Sequence, residues 1–508
     1  VVTSGNNSSD LDYDSTNALV LNGGTIRDIA QNNANLTLPD PDSTGSLGVN
    51  KSLVIDGIIP IVNEVTSAVP DGIYKLGDTL AITIPFSEEI IVIGTPQITL
   101  ETGNNDAVVY YSSGSGTSIL TFQYVVAAGD NTSDLDYAGV IALGLNSGSI
   151  KDTAGNNAIL TLPDPGNSSS LGYNKALVID GIVPTIYSVT STLTDSVFKI
   201  DDEIPIIVTL SEPVFVDTSG GKPQIMLETG STDAIANYVG GGGSSTLIFN
   251  YIVASGNSSN DLDYTSDSAL TLNGGTIMDA AGSSAHLTLA APGIAGSLAA
   301  NKTLYIDGIL PVVTSISSNA LDTTYIIADT IGIAVTLNEA VTVTGTPQLT
   351  METGNTDTAI NYITGTGTNV LTFNYVVADG HSSANLDYIS TSALTLNNGT
   401  ITDEVGNPAS LILPTPGSVG SLSYNKTIAL DADPPTVIQM ISTSANGSYK
   451  MGDTLTIAII FNEEVLVTGT PRLTLETGAN DAVIDYVSGN ETTIISFMYI
   501  VSAGHMNP

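Results

Sequence analysis

Short apolar runs separated by turn-forming residues fill the chain from end to end. Between residues 58 and 181 they read as strands at 61–69, 79–86, 97–101, 107–111, 118–126, 136–150 and 175–180, the sixth open to a break at Asn146. Turn signals recur about every 8–12 residues, the rhythm of a β-sandwich. Val, Ile, Thr and Tyr dominate the runs, as half-buried pleated strands prefer. Asn22-Gly23 and Glu101-Thr102-Gly103 mark hairpin-type turns, because Asn and Gly accept positive φ. No stretch sustains a helical period, and no apolar run approaches the ~20 residues of a spanning helix.

The pattern then repeats. Asp-Leu-Asp-Tyr stands at 10–13, 134–137 and 261–264 and returns as Asn-Leu-Asp-Tyr at 385–388, at offsets of 124, 127 and 124 residues. The same offsets relate Asp56, Asp180, Asp307 and Asp431, and again Glu88, Glu212, Glu339 and Glu463. The extra residues of the second copy fall at 217–222, inside one loop, where a repeated domain tolerates them. A period of this kind predicts a tandem array. Its segments are 58–181, 182–308 and 309–432, flanked by 1–57 (the last two strands of a module) and 433–508 (the first five).

Composition narrows the function. Among 508 residues, 51 acids face 11 bases, a formal charge of -40. That balance opposes nucleic acid and anionic membranes as partners. With no Cys there are no disulfides, thiolate zinc sites or thiol chemistry. Yet 42% of residues are hydrophobic, enough to bury cores, so this is not an acidic disordered tail.

The block YKLGDTLAITIPFSEEIIVIGTPQITLETG, followed by LTFQYVVAAGDNTSDLDY, GSIKDTAGNNAILTLP and NKALVIDG, resembles the bacterial immunoglobulin-like repeats of large cell-surface adhesins. The resemblance covers essentially the whole chain. It implies an all-β array of immunoglobulin-like sandwiches, an extracellular or cell-surface location, and often calcium. It implies no activity, because fold is not function.

If strands alternate up and down, three acids from distant sequence converge where one module meets the next. Glu88 closes the strand at 79–86, Asp152 closes the one at 136–150, and Asp56 ends the linker. The equivalent trios are Asp180, Glu212 and Asp279, then Asp307, Glu339 and Asp403. Hard oxygens clustered in a base-poor chain suit Ca²⁺; otherwise these acids cap turns. A second acidic group, Glu101, Asp106, Asp134 and Asp136, lies at the opposite end, with Asx-type turn bonds as its simpler role. Tyr137, Tyr264 and Tyr388 occupy the place of a tyrosine corner. Lys51, Lys175, Lys302 and Lys426 each follow an Asn and open the last strand. By alternation Lys175 points inward, which demands a carboxylate partner, an exit to solvent or an isopeptide link.

An enzyme is not expected. His286 shares its place with Asn35, Ile159 and Ser410, while His381 and His505 share theirs with Asp130 and Asn257. No His accompanies a nucleophile and no Gly-rich phosphate loop opens a helix. The expected partners are repeats of the same kind, in a longer chain or in a second copy. In the latter case residues 1–57 of one chain complete the 433–508 half of the next by strand donation, head to tail into a filament. Asp28 would then join Asp431 and Glu463. Surface glycans, stacked on Tyr110, Tyr111 or Tyr238, are the remaining alternative.

Overall fold

The computed structural model describes residues 1–504; His505 and the end of the 433–508 segment lie outside the described residues. The chain is all-β, built from repeated β-sandwiches, and it divides into two compact units. The first comprises Val1–Ser196, Asp201–Val253 and Ser259–Ile306, and the second Val197–Ile200, Ala254–Ser258 and the chain from Asp307 onward.

The segment 58–181 shows the pattern. Its strands are β1 (Thr66–Ser67), β2 (Gly72–Lys75), β3 (Thr79–Ile93), β4 (Gln97–Glu101), β5 (Ala107–Ser113), β6 (Thr117–Val125), β7 (Asn131–Thr132), β8 (Asp136–Tyr137), β9 (Leu143–Gly144), β10 (Ser149–Asp152) and β11 (Leu177–Asp180), with a single-turn helix α1 (Leu171–Asn174) before the last. One curled sheet runs β8-β4-β5-β6-β3-β10, with β9 on β4 and β1 on β3. A second, smaller sheet runs β2-β11-β7, its first pair parallel. Between them lies a core that includes Leu80, Ile82, Ile84, Leu120, Phe122, Leu177 and Ile179, all fully buried. Burying side chains of this size contributes about 1.5–3 kcal/mol each.

The strand expected at 61–69 is reduced to Thr66–Ser67, Gly72–Lys75 forms a strand that was not expected, and three further features depart from the sequence expectation. The strand expected to end at Phe86 runs on to Ile93, and Glu88 lies inside it rather than closing it. Ser87, Glu88 and Glu89 read as a polar stop, yet the alternation continues in phase: Leu80, Ile82, Ile84, Phe86 and Ile90 are all buried, so Glu88 takes an inward position. The run at 136–150 is three short strands rather than one, and Asn146 has positive φ between the last two. Lys175 caps α1 instead of opening a strand, because Ser170 nucleates a turn by accepting from Tyr173 N at 3.2 Å. Lys175 finds its carboxylate in Asp71 at 2.8 Å, and Lys426 in Asp322 at 2.8 Å; Lys302 donates to Leu193 O at 2.7 Å.

The same sheet order returns around the long strands Glu203–Asp217 and Thr330–Thr344. In the second unit, residues 433–504 form only a five-stranded sheet. Leu455 and Ile457 are half-buried there, whereas their counterparts Leu80 and Ile82, or Ile331 and Ile333, are fully buried. Residues 1–57 carry the counterparts of β7, α1 and β11, namely Asn7–Ser8, Leu47–Asn50 and Ile55–Asp56.

The expected tyrosine corners are not formed: each hydroxyl instead reaches 26 residues downstream. Tyr137, Tyr264 and Tyr388 donate to the carbonyls of Pro163, Ala290 and Pro414, each at 2.6 Å. Removing one hydroxyl leaves a carbonyl of the crossover without its donor, a cost of about 1–2 kcal/mol. Tyr388→Phe is therefore expected to lower one calorimetric transition of the full chain by about 3 °C or more. An unshifted trace would mean that the bond contributes nothing.

Candidate metal centre

The partner change along β3 creates the site. This strand pairs with β6 continuously up to Pro85 and again at Ile90, which faces Thr117; from Ile90 onward it also pairs with β10, where Ile90 faces Asp152. The register jumps between Pro85 and Ile90, and Glu88 lies in the gap, aimed inward at the end of the core. Asp152, 3% exposed, ends β10 and closes a turn: its Oδ1 accepts from Asn156 N at 2.8 Å. Asp56 ends the preceding linker, its Oδ1 taken by Ile58 N at 3.1 Å. One carboxylate oxygen each from Asp56, Glu88 and Asp152 lies within 4.8 Å of the others. Asp180, Glu212 and Asp279 meet the same test.

The linker acids are fixed from behind. Gly181 N donates to Asp130 O at 2.7 Å, and Gly129 N to Gly181 O at 3.1 Å, so the residue after Asp180 is clamped on the loop after β6. A side chain at Gly181 would begin 2.2 Å from Ala127 O, which is why the strand passes there as glycine. That loop holds a buried acceptor whose chemistry varies. Asp130 Oδ2 takes Tyr124 OH at 2.7 Å and Ala127 N at 2.8 Å; His381 Nδ1 takes Ala378 N at 3.1 Å and contacts Tyr375 OH at 2.7 Å. His381 is thus a loop-closing acceptor. His286 forms an isolated bridge with Thr185, outside the last strand of its segment.

Electrostatics make the trios costly as they stand. Two carboxylate charges within 4.8 Å of each other repel by at least about 3 kcal/mol at an effective dielectric of ~20. Burial, then the charges of Asp56 and Asp152, pushes Glu88 above its ordinary value; burial, then Asp180 and Asp279, does the same to Glu212. The inward oxygens Glu88 Oε1, Glu212 Oε1, Asp279 Oδ2 and Glu463 Oε1 are buried without a hydrogen-bond partner, as is Ser283 Oγ. Two oxygens bound at about 2.4 Å to one Ca²⁺ lie at most about 4.8 Å apart, so oxygens within that limit of one another are close enough to share the ion.

The third trio is looser. Asp307, Glu339 and Asp403 belong to the second unit, and among the described residues only the first two trios reach the 4.8 Å spacing. Burial raises Glu339, followed by Asp307 and Asp403, against a bond from Asn338. Asp431 and Glu463 also lie in the second unit. Asp28 lies in the first and bonds Asn32 N and Nδ2 at 2.8 and 2.9 Å, the same turn that Asp152 makes with Asn156.

Sequence reasoning missed the residue four after each buried Asp. Asn156 Nδ2 reaches Asp152 Oδ2 at 2.7 Å and the linker carbonyls of Asp56 and Ile58 at 3.0 and 3.2 Å; Asn407 Nδ2 does so for Asp403 Oδ2 at 2.7 Å and Asp307 O at 2.8 Å. The signal was the Ala-Gly-Asn-Asn string itself. In the second acidic group, Glu101 makes a turn bond from Gly103 N at 3.3 Å, while Asp136 accepts from the adjacent Tyr137 N and from Gly166 N, 30 residues on, at 2.9 Å each.

No protein family matches the chain, and no curated protein does. Among solved structures, the chain is similar to the full extracellular region of plexin A4 (8% identity, 87% of this chain and 34% of that one, TM-score 0.16). It is also similar to the S-layer protein rSbsC(31-844) (12% identity, 89% and 68%, TM-score 0.12). The chain spans about a third of the plexin ectodomain, and at these scores neither likeness carries an argument.

The raised glutamates fix a pH dependence. With folded values above the ordinary 4.5, the unfolded chain loses its protons first. Their contribution is full below pH 4.5 and is lost as pH rises through the raised values. In chelator, a variant with Glu88, Glu212 and Glu339 changed to Gln is expected to match the wild type near pH 4 and to melt higher than it near pH 7. A variant that melts lower at both pH values would contradict this origin.

Proposed function

We propose that this chain is a structural, extracellular array of immunoglobulin-like modules stiffened by Ca²⁺ where one repeat meets the next. The observation that supports this most is the inward glutamate of each copy, set among acids that come from the linker and from the last strand of the curled sheet. Asp56 and Asp180 belong to linkers, so an ion held by either trio ties a linker to the module that follows. Unbridged linkers leave modules free to swing. The acidic surface keeps neighbouring arrays apart when the ion is absent.

The partners in this reading are repeats of the same type, whether in a longer adhesin or sheath or in a second chain that builds a filament by strand complementation. The half-buried Leu455 and Ile457 suit strands of that kind. Sugar binding is less supported. The Tyr111 hydroxyl accepts from Ser115 N at 2.8 Å and that of Tyr238 from Gly242 N at 3.0 Å, and both rings pack edge-on against Phe122 and Phe249. Of the three tyrosines, only Tyr110 is exposed.

Calcium at a hundred times its dissociation constant is expected to stabilise the modules by about 2.7 kcal/mol. The full chain should melt higher in millimolar CaCl2 than in chelator. A variant carrying both Glu88→Gln and Glu212→Gln should lose most of that gain. Identical melting of the wild type in both buffers would overturn the reading.

A further inference from the structure

The complete trios differ in what already occupies their oxygens. At Asp307–Glu339–Asp403, two amides fill the place of a ligand: Asn407 Nδ2 sits 2.7 Å from Asp403 Oδ2, and Asn338 Nδ2 sits 3.3 Å from Glu339 Oε1. At Asp56–Glu88–Asp152 one amide remains, Asn156 on Asp152 Oδ2 at 2.7 Å, and Glu88 Oε1 is unpartnered. At Asp180–Glu212–Asp279 the amide is gone, because Ser283 stands where Asn156 and Asn407 stand. Ser283 N keeps the turn by donating to Asp279 Oδ1 at 2.8 Å. That leaves Glu212 Oε1, Asp279 Oδ2 and Ser283 Oγ buried without partners.

Those three atoms are an independent sign of a ligand. Asp279 is 5% exposed and Ser283 6%, so bulk water does not solvate them. A buried carboxylate oxygen left without a donor is costlier than an unpaired neutral group. The base drawn to this turn, Lys75, donates to the Gly282 carbonyl at 3.0 Å, and among the described residues no ion pair joins it to the trio. Flipping the amides does not open the other sites without loss. Asn407 Oδ1 accepts from Ile200 N at 2.9 Å, and Asn156 Nδ2 holds two linker carbonyls.

We infer that the trios form a graded series. Asp180–Glu212–Asp279, with Ser283 Oγ as an added oxygen ligand, takes a divalent cation first and most tightly. Asp56–Glu88–Asp152 follows, and the amide-filled Asp307–Glu339–Asp403 takes it last. This rests on the calcium reading above and assigns within it which site carries the response. One residue sets the order: serine offers an oxygen where asparagine offers two N–H donors already committed to the carboxylate and the linker.

The test is CaCl2 titration of the full chain, with bound ions counted by native mass spectrometry and affinities taken from calorimetry. Ser283→Asn is expected to weaken the tightest site by about tenfold or more, the scale of lost groups beside a metal. Asn407→Ser is expected to strengthen the weakest site, a gain that misfolding does not produce. Glu212→Gln should remove the first ion. If the wild type binds no calcium, the functional reading fails and this series with it. If it binds calcium and Ser283→Asn leaves the tightest site unchanged, the series is wrong and the reading stands. If Asn407→Ser leaves the weakest site unchanged, serine does not set the order and the series is likewise wrong.

Discussion

One constraint organises each repeat: a strand of fifteen residues puts a carboxylate on a core-facing position. β3 spends its first half beside β6 and its second half beside β10. Its register with β6 jumps between Pro85 and Ile90, just where β10 joins its other stretch, and the inward residue of that jump faces the end of the core rather than its centre. An apolar residue there would extend the core. A glutamate instead brings charge to the point where the linker enters, and acids from the linker and from β10 meet it. The turns that hold Asp152 and Asp279, and the glycine clamp behind Asp180, are the means by which the chain keeps three like charges together.

The chain's composition bears on how that charge is balanced. With 11 bases against 51 acids, ion pairs cannot balance the surface, and the lysines that recur are engaged elsewhere. Lys175 and Lys426 answer Asp71 and Asp322 on solvent-facing edges, where a pair of this exposure contributes about 1 kcal/mol at most. Each trio is then balanced by amides, by protons or by a metal ion. The copies show the first solution in one trio, a mixture in another, and open oxygens in the third. A tandem repeat thus allows one geometry to be tuned by single substitutions without altering the fold that carries it.

Much of this was legible in the residues. Periodicity pointed to the sandwich, and the recurring Asp and Glu at fixed offsets pointed to the two trios that come together, Asp56–Glu88–Asp152 and Asp180–Glu212–Asp279. Three things were hidden for physical reasons. Ser87-Glu88-Glu89 looks like a stop because polarity is read locally, while the pairing that continues the strand comes from Ser149–Asp152, some 60 residues away. The small helix before β11 was hidden because one turn, capped by a serine, leaves no helical period to read. Asn156 and Ser283 were overlooked because amides and hydroxyls in loops are common; only the placement of their side-chain atoms separates a turn residue from a plug in an acidic site.

The central claim is that the inward glutamates stay charged and hold an ion. The most direct measurement is a crystal or cryo-electron structure of the full chain in calcium, refined for density between Asp180, Glu212 and Asp279. The account predicts an ion about 2.3–2.6 Å from Glu212 Oε1 and Asp279 Oδ2, with six to eight oxygens around it. A lone water at hydrogen-bond distance, with Glu212 donating a proton to a neighbouring carboxylate, would contradict it.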